Sequence, residues 1–241
     1  MMIRLTCGIT AMLTLPSVGF STPFFALFLH ALILGATGAT GKELVKLLLE
    51  DSNFSQVSVF VRRKIDVDHK KLTVHKIDFS RLNEYNSLIK GDILFSALGT
   101  TKNEAGGKKE QFLVDYTYQY EFAKMASDNG VNHFSLVSSI GADKNSFFFY
   151  PKIKGALESI IKSLKFNKIH IFQPPSLIRQ PELIRSGERY SINLLQLINK
   201  LGCLKSLKPI SVKNLAMKII KESLLNQKDG ITIYESKDLF N

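Results

Sequence analysis

The run ALILGATGATG, residues 31–41, joins a short apolar stretch to three glycines, Gly35, Gly38 and Gly41. The residues after it, KELVKLLLE over 42–50, carry apolar side chains at helical spacing. A strand, a glycine turn and a helix in that order form a dinucleotide-binding turn. The first glycine makes the tight turn, the second lets the backbone approach a pyrophosphate, and the third lets the helix pack close to the strand. The N–H groups and positive end of the helix then face the phosphates. Gly35, Thr37, Gly38, Ala39, Thr40 and Gly41 are therefore candidate cofactor-binding residues. A glycine-rich loop without function is the alternative, and the flanking strand and helix speak against it.

From this turn onward, apolar β-rich runs alternate with helical patterns. Strands are predicted over 31–34, 57–61, 72–76, 93–97, 133–137, 169–172 and 231–234. Helices are predicted over 41–50, 82–89, 109–129, 151–163 and 211–225, and Asp128-Asn129-Gly130 is a helix stop. The alternation implies an α/β fold: a doubly wound parallel sheet of the NAD(P)-binding Rossmann type with helices on both faces. Ligands of such sheets sit beyond the carboxyl ends of the strands, so the residues following each strand are the ones to read.

Arg62 and Arg63 follow the second strand. An NAD site usually carries an acidic residue there for the ribose 2′-hydroxyl, whereas a guanidinium fork suits a 2′-phosphate. NADP(H) is accordingly the favoured cofactor over NAD(H), with a solvated strand end as the bland alternative. Asp78 follows the third strand, where a side chain can face an adenine ring; its neighbour Phe79 reads equally well as core. Leu98, Gly99 and Thr100 follow the fourth, where a glycine allows close backbone approach and hydroxyls can bond the cofactor.

Ser138 and Ser139 end the fifth strand, and Tyr150 and Lys154 follow. Residues four apart share a helix face. A free tyrosine holds its proton up to a pKa of about 10. A nearby ammonium favours the phenolate, so the pair can pass a proton to or from a carbonyl oxygen as hydride moves. A serine hydroxyl beside that oxygen would orient and polarise it. Adjacent strand residues face opposite ways, so one serine is expected in the site, with Ser139 preferred. A bare YxxxK is common by chance; the order glycine turn, serine pair, Tyr/Lys helix is what gives it weight. Pro151 suits the first turn of a helix and places Tyr150 at its entrance. Phe147, Phe148 and Phe149 read either as core, which aromatic runs beside a strand end more often are, or as lining of an apolar substrate pocket.

The 241 residues suit one large domain, 31–241, with a small substrate-side cap around 176–210. The net charge of +11 comes mostly from dispersed lysines without a nucleic-acid motif, so a solvated basic surface with a phosphate pocket is preferred over nucleic-acid binding. The two cysteines and five histidines show no ligand spacing, and no metal is expected. Residues 1–30 are apolar, with no Lys, Arg, Asp or Glu between Arg4 and Lys42. An extension ahead of the domain and a signal or membrane anchor both fit them. The expected location is cytoplasmic, with export or membrane association through that segment as the alternative.

Taken together, GATGATG at 35–41, RR at 62–63, LGTT at 98–101, FLVDY at 112–116, HFSLVSSIGADKNS at 133–146 and YPKIKGALE at 150–158 resemble the short-chain dehydrogenase/reductase superfamily. The likeness is to its atypical branch, and within it to the Tat-interactive oxidoreductase family. The resemblance implies Tyr150 and Lys154 as the catalytic pair, with Lys154 also on the nicotinamide ribose. It implies Arg62 and Arg63 at the 2′-phosphate, and Gly99 and Thr100 close to the cofactor. Residues after the sixth strand, Pro174 among them, would contact the nicotinamide side. There the chain departs from the family, with Gln173-Pro174-Pro175 where relatives have an Arg-Pro-Gly turn. The expected function is NADP(H)-dependent oxidation or reduction of a small carbonyl or alcohol. A non-catalytic NADP(H)-sensing module is the alternative. A small-molecule substrate and a second copy of the chain are the candidate partners.

Overall fold

In the computed structural model, residues 28–180, 208–225 and 228–240 are described. In chain order they form β1 (Leu29–Leu34), α1 (Ala39–Glu50), β2 (Phe54–Val61), β3 (Leu72–Lys76), β4 (Ile93–Ser96), α2 (Lys102–Ala105) and α3 (Lys108–Phe112). Then come α4 (Tyr118–Asp128), β5 (His133–Val137), α5 (Phe149–Ile161), β6 (Lys168–Phe172), β7 (Leu177–Ile178), β8 (Ile210–Ser211), α6 (Val212–Leu225) and β9 (Gly230–Tyr234).

The main sheet has seven parallel strands in the order β3-β2-β1-β4-β5-β6-β9. In β1, Ala31 and Ile33 enter one core and Leu32 and Leu34 the other, all fully buried. Burial on both faces is why this strand reads as an unbroken apolar run instead of an alternating one. Leu44 and Leu48 of α1 and Leu215 and Ile219 of α6 fill the first core. Phe122 and Ala126 of α4 and Leu157 and Ile161 of α5 fill the second. The doubly wound sheet expected from the sequence is the observed one. The chain leaves β1 towards β2 on one side and later returns as β4 on the other. A crevice opens at the carboxyl ends where that order reverses.

The strands predicted at 72–76 and 133–137 coincide with β3 and β5, and the other five match with ends shifted by one to three residues. Two helices differ in kind. The stretch predicted as a helix over 82–89 is a 3-10 segment, Phe79–Leu88, broken at Arg81 (φ −129°, ψ 36°). Only Phe79 and Leu82 of it are buried, so no long apolar stripe holds a regular helix there. The helix predicted over 109–129 contains a π turn at Leu113–Thr117 between α3 and α4. Such turns change which side chains face inward, and here Asp115 is buried. The small parallel pair β7–β8 is too short to leave a sequence pattern. Residues 1–27, and 181–207 of the expected cap, lie outside the described residues. Among the described residues no helix is long and apolar enough to cross a membrane.

Candidate functional site

Gly35 ends β1 with φ +87°, a conformation that L side chains rarely adopt. A Cβ there would lie 2.5 Å from the Leu98 nitrogen, so the turn packs directly on the loop after β4. Gly41, inside the first turn of α1, sits closer still: its Cβ would stand 2.0 Å from the Gly35 carbonyl oxygen. Gly38 is different. It has ordinary dihedrals, receives no side-chain cap, and a Cβ on it would meet nothing closer than 3.4 Å. The crevice therefore opens at Gly38, at the N-terminus of a twelve-residue helix with no acidic residue in its first turn.

Two clefts meet there. The larger, about 500 Å³, is lined by Gly35, Thr37, Gly38 and Ala39, by Leu98, Gly99 and Thr100, and by Arg62, Tyr118 and Arg179. The smaller, about 110 Å³, is lined by Thr40, Ser138, Tyr150, Lys154 and Arg179, and by residues shared with the first. Thus Gly35, Thr37, Gly38, Ala39, Arg62, Leu98, Gly99 and Thr100 are brought together on one wall. Ser138, Tyr150 and Lys154 are brought to its continuation.

The spacing of Tyr150, Lys154 and Glu158 along α5 puts all three towards the end of β5. Tyr150 is exposed at the cleft mouth, while Lys154 is buried at 3% exposure. Lys154 Nζ donates to the Val137 carbonyl oxygen at 3.1 Å. Ser138 donates its hydroxyl proton to the buried Glu158 carboxylate. Gln173 Nε2 donates to the same carboxylate at 3.0 and 3.1 Å. Lysine and glutamate of one helix thus hold consecutive residues at the strand end. The preference for Ser139 is corrected: its hydroxyl turns away to the Ile140 carbonyl oxygen at 3.2 Å, and Ser138 lines the cleft.

Other expected residues lie elsewhere. Arg63 is exposed beside Arg62 and does not line either cleft. Asp78 also lines neither; its carboxylate accepts from the Ser80 hydroxyl at 2.7 Å and the Ser80 backbone N–H at 2.9 Å. Those bonds hold its carboxyl below the usual range. Phe79 is core, against Tyr118 with ring centroids 5.4 Å apart. Pro174 is buried, and its carbonyl oxygen accepts the Ile140 N–H at 2.9 Å. Phe147 and Phe148 are neither core nor cleft lining but exposed.

Six residues that shape the site were not singled out in the sequence. Asp115, on the π turn, accepts the Thr100 N–H at 2.9 Å and the Gln111 side-chain amide at 3.1 Å. The Thr100 N–H is therefore committed to shaping the loop, and Gly99 and the rest of Thr100 face the cleft. Gln111, Asp115 and Gln119 recur every fourth residue, a buried polar stripe that was visible in the sequence. Glu158, at the same interval after Lys154, carries the same signal. Gly155 leaves room for the loop after β5, since a Cβ on it would stand 2.2 Å from the Lys144 nitrogen. Arg179 left no local signal, because tertiary folding alone brings it to the crevice.

Comparison with known proteins agrees with this architecture. Residues 35–168 match the family model described as NAD(P)H-binding. The chain is 38% identical over 161 residues to protein HTATIP2 of Rattus norvegicus, covering 65% of this chain and 66% of that one. It is 39% identical over 154 residues to the protein named "FMP52, mitochondrial" of Debaryomyces hansenii, covering 62% and 67%. The matched stretch thus spans about two thirds of the length of these relatives. Among solved structures, the Bordetella bronchiseptica enzyme WbmG in complex with NAD superposes with a TM-score of 0.66 at 13% identity, covering 89% of this chain and 74% of that one. WbmH from the same organism, also with NAD, gives 0.64 at 16%, covering 86% and 75%. With a family match running through the glycine turn, the strand-end loops and α5, this chain belongs to the NAD(P)H-binding family, in the atypical branch of the short-chain dehydrogenase/reductase superfamily.

Proposed function

We propose that the protein is an NADP(H)-dependent oxidoreductase that interconverts a small carbonyl compound and its alcohol. The observation that carries this reading is the junction of the two clefts. The wall with the glycine turn and Arg62 continues, through Gly38, Ala39 and residues 97–100, into the wall with Ser138, Tyr150 and Lys154. A nucleotide-binding surface that did no chemistry would have no need of a tyrosine and a buried lysine at its far end.

The residues present fit a dinucleotide. The open helix N-terminus at Gly38 offers N–H donors for phosphate oxygens. Arg62 offers a guanidinium fork to a 2′-phosphate. When bound, NADP(H) supplies or accepts the hydride. Tyr150 sits where its hydroxyl can give a proton to a carbonyl oxygen at the cleft mouth, or take one from an alcohol. The Lys154 ammonium, fixed by the Val137 carbonyl, places a positive charge beneath that position. Ser138 donates its hydroxyl hydrogen bond to Glu158, so its oxygen presents lone pairs to the cleft and can accept the hydroxyl of an alcohol substrate.

Two measurements test this. NADPH should raise the melting temperature more than NADH does. Arg62→Ala should remove that difference, whereas Arg63→Ala should leave most of it; equal stabilisation of the wild type by both cofactors overturns the NADP(H) assignment. NADPH consumption should then be followed against quinones, aldehydes and ketones. Tyr150→Phe is expected to lower turnover by at least about a hundredfold, in the range of a lost general acid. A Tyr150→Phe protein with unaltered turnover would remove the tyrosine from the mechanism. Cofactor binding with no turnover on any substrate would favour the sensing module.

A further inference from the structure

Arg179 stands directly after β7, at the start of the connection that leaves the sheet. Its neighbour Gln180 ties this segment to α1: the Gln180 side-chain amide donates to the Ala39 carbonyl at 3.0 Å and to Glu43 Oε1 at 2.8 Å. Arg179 is thereby set against the first turn of the same helix whose N-terminus opens into the crevice. The two clefts share a common wall made of Gly38, Ala39, residues 97–100 and Arg179. Arg179 is the charged residue of that shared wall. Arg62 lines the larger cleft alone and Lys154 the smaller alone.

A dinucleotide reaching from Arg62 to Tyr150 has to cross the shared wall. The part of the molecule between its two nucleosides is the diphosphate, which carries the negative charge there. We propose that Arg179 is a side-chain clamp for this diphosphate, holding it against the N-terminus of α1. The proposal rests on the dinucleotide reading of the cleft and adds a binding residue to it. Arginine suits the task, because its planar fork of five N–H donors can engage two phosphoryl oxygens while keeping another partner. Nearby lysines are placed otherwise. Lys154 donates to the Val137 carbonyl, and Lys42 lines a separate groove with Val45 and Ile65. A diphosphate clamp cannot tell NADPH from NADH, since both carry the same diphosphate. Arg179 therefore sets affinity for both, and Arg62 sets the choice between them.

Binding of NADPH, NADH, ADP-ribose and adenosine 2′-monophosphate to the full chain tests this, by calorimetry and by melting shift. Arg179→Ala should weaken NADPH, NADH and ADP-ribose by a similar factor of about ten or more. It should leave adenosine 2′-monophosphate, which has no diphosphate, within about twofold. Arg179→Lys keeps the charge and stem but loses the fork, and should recover part of the affinity. It also serves as the test variant if the alanine protein melts much lower without ligand. Wild-type affinity for the dinucleotides in both variants overturns the proposal. So does a loss confined to NADPH and adenosine 2′-monophosphate, which would put Arg179 at the 2′-phosphate. Equal wild-type affinity for NADPH and NADH, both weakened in Arg179→Ala, would dismiss the Arg62 role and uphold the clamp. A wild type that binds neither dinucleotide overturns both readings.

Discussion

Gly41→Ala is expected to distort the glycine turn and to lower the melting temperature by roughly 5 °C or more. The added methyl would stand 2.0 Å from the Gly35 carbonyl oxygen, 2.8 Å from its carbon and 3.0 Å from the Ala36 Cα. All three are backbone atoms, so no side chain can rotate away. Gly35 cannot retreat either, because it already presses on the backbone of Ala97 and Leu98. Alanine gains about 1 kcal/mol over glycine in helix propensity. Overpacking of this severity costs about 3 kcal/mol or more, so the clash wins. Gly38→Ala is the contrast. Its methyl would make only an ordinary contact at 3.4 Å, so the ligand-free protein should melt within about 2 °C of wild type. That methyl would instead occupy the mouth of the crevice and weaken dinucleotide binding. A Gly41→Ala protein with wild-type melting would show that α1 can slide away from β1, and the close approach would not be what requires the glycine.

These two glycines show what kind of information a sequence carries well. The order strand, turn, helix was legible because β1 is apolar on both faces and α1 has a 3.6-residue apolar stripe. Each element leaves a period, and a period survives in one dimension. The strands at 72–76 and 133–137 were legible to the residue, since apolar residues alternate along them (Leu72 and Val74, Phe134 and Leu136) and polar or glycine-containing segments bound them. The stretch at 82–89 was misread as a regular helix, because its few apolar residues pack through Phe79 and Leu82 alone. The capping box of α2, Thr101 with Glu104, was present in the letters TKNE but not used.

The candidate site was legible where chemistry and spacing coincide, as at Tyr150 and Lys154. It was not legible where a side chain's direction depends on a partner far along the chain. Ser138 and Ser139 are chemically alike; Glu158, twenty residues on, holds the first in the cleft wall by accepting a hydrogen bond from its hydroxyl. Arg62 and Arg63 are also alike, and of the two only Arg62 lines the cleft. The supporting polar groups were the most readable of the missed residues. Charged and amide side chains recurring at four-residue intervals, as at Gln111, Asp115 and Gln119, share one helix face and are costly to bury without partners. Their presence on an inward face already says that a loop is being held there.

Stability should fall steeply between pH 7 and pH 5, and two buried histidines are the expected cause. His133 on β5 and His170 on β6 pack edge to face with ring centroids 4.5 Å apart, under α6. His170 has no exposed surface, and neither ring nitrogen has a hydrogen-bond partner among the described residues. Burial, reinforced by the nearby His170 ring and Lys168, pushes His133 down to about 3. Burial and Lys168 push His170 down to about 4, against the opposing pull of Glu222. An unfolded histidine titrates near 6.5. Below that value the unfolded chain binds protons that the folded chain refuses, so the histidines favour folding at neutral pH and cease to as pH falls towards 4. Each histidine contributes at most about 1.4 kcal/mol per pH unit in this window. With a discount for partial solvation, the pair should cost about 3 kcal/mol by pH 5, or roughly 10 °C in melting temperature. His30 and His75, also lowered by burial, act in the same direction. His170→Leu removes one of the two protons and fills a similar volume, so its melting temperature should fall with pH clearly less steeply than that of the wild type. If the two proteins lose stability in parallel between pH 7 and pH 5, His170 is not a source of the acid sensitivity, and His133 becomes the group to replace next.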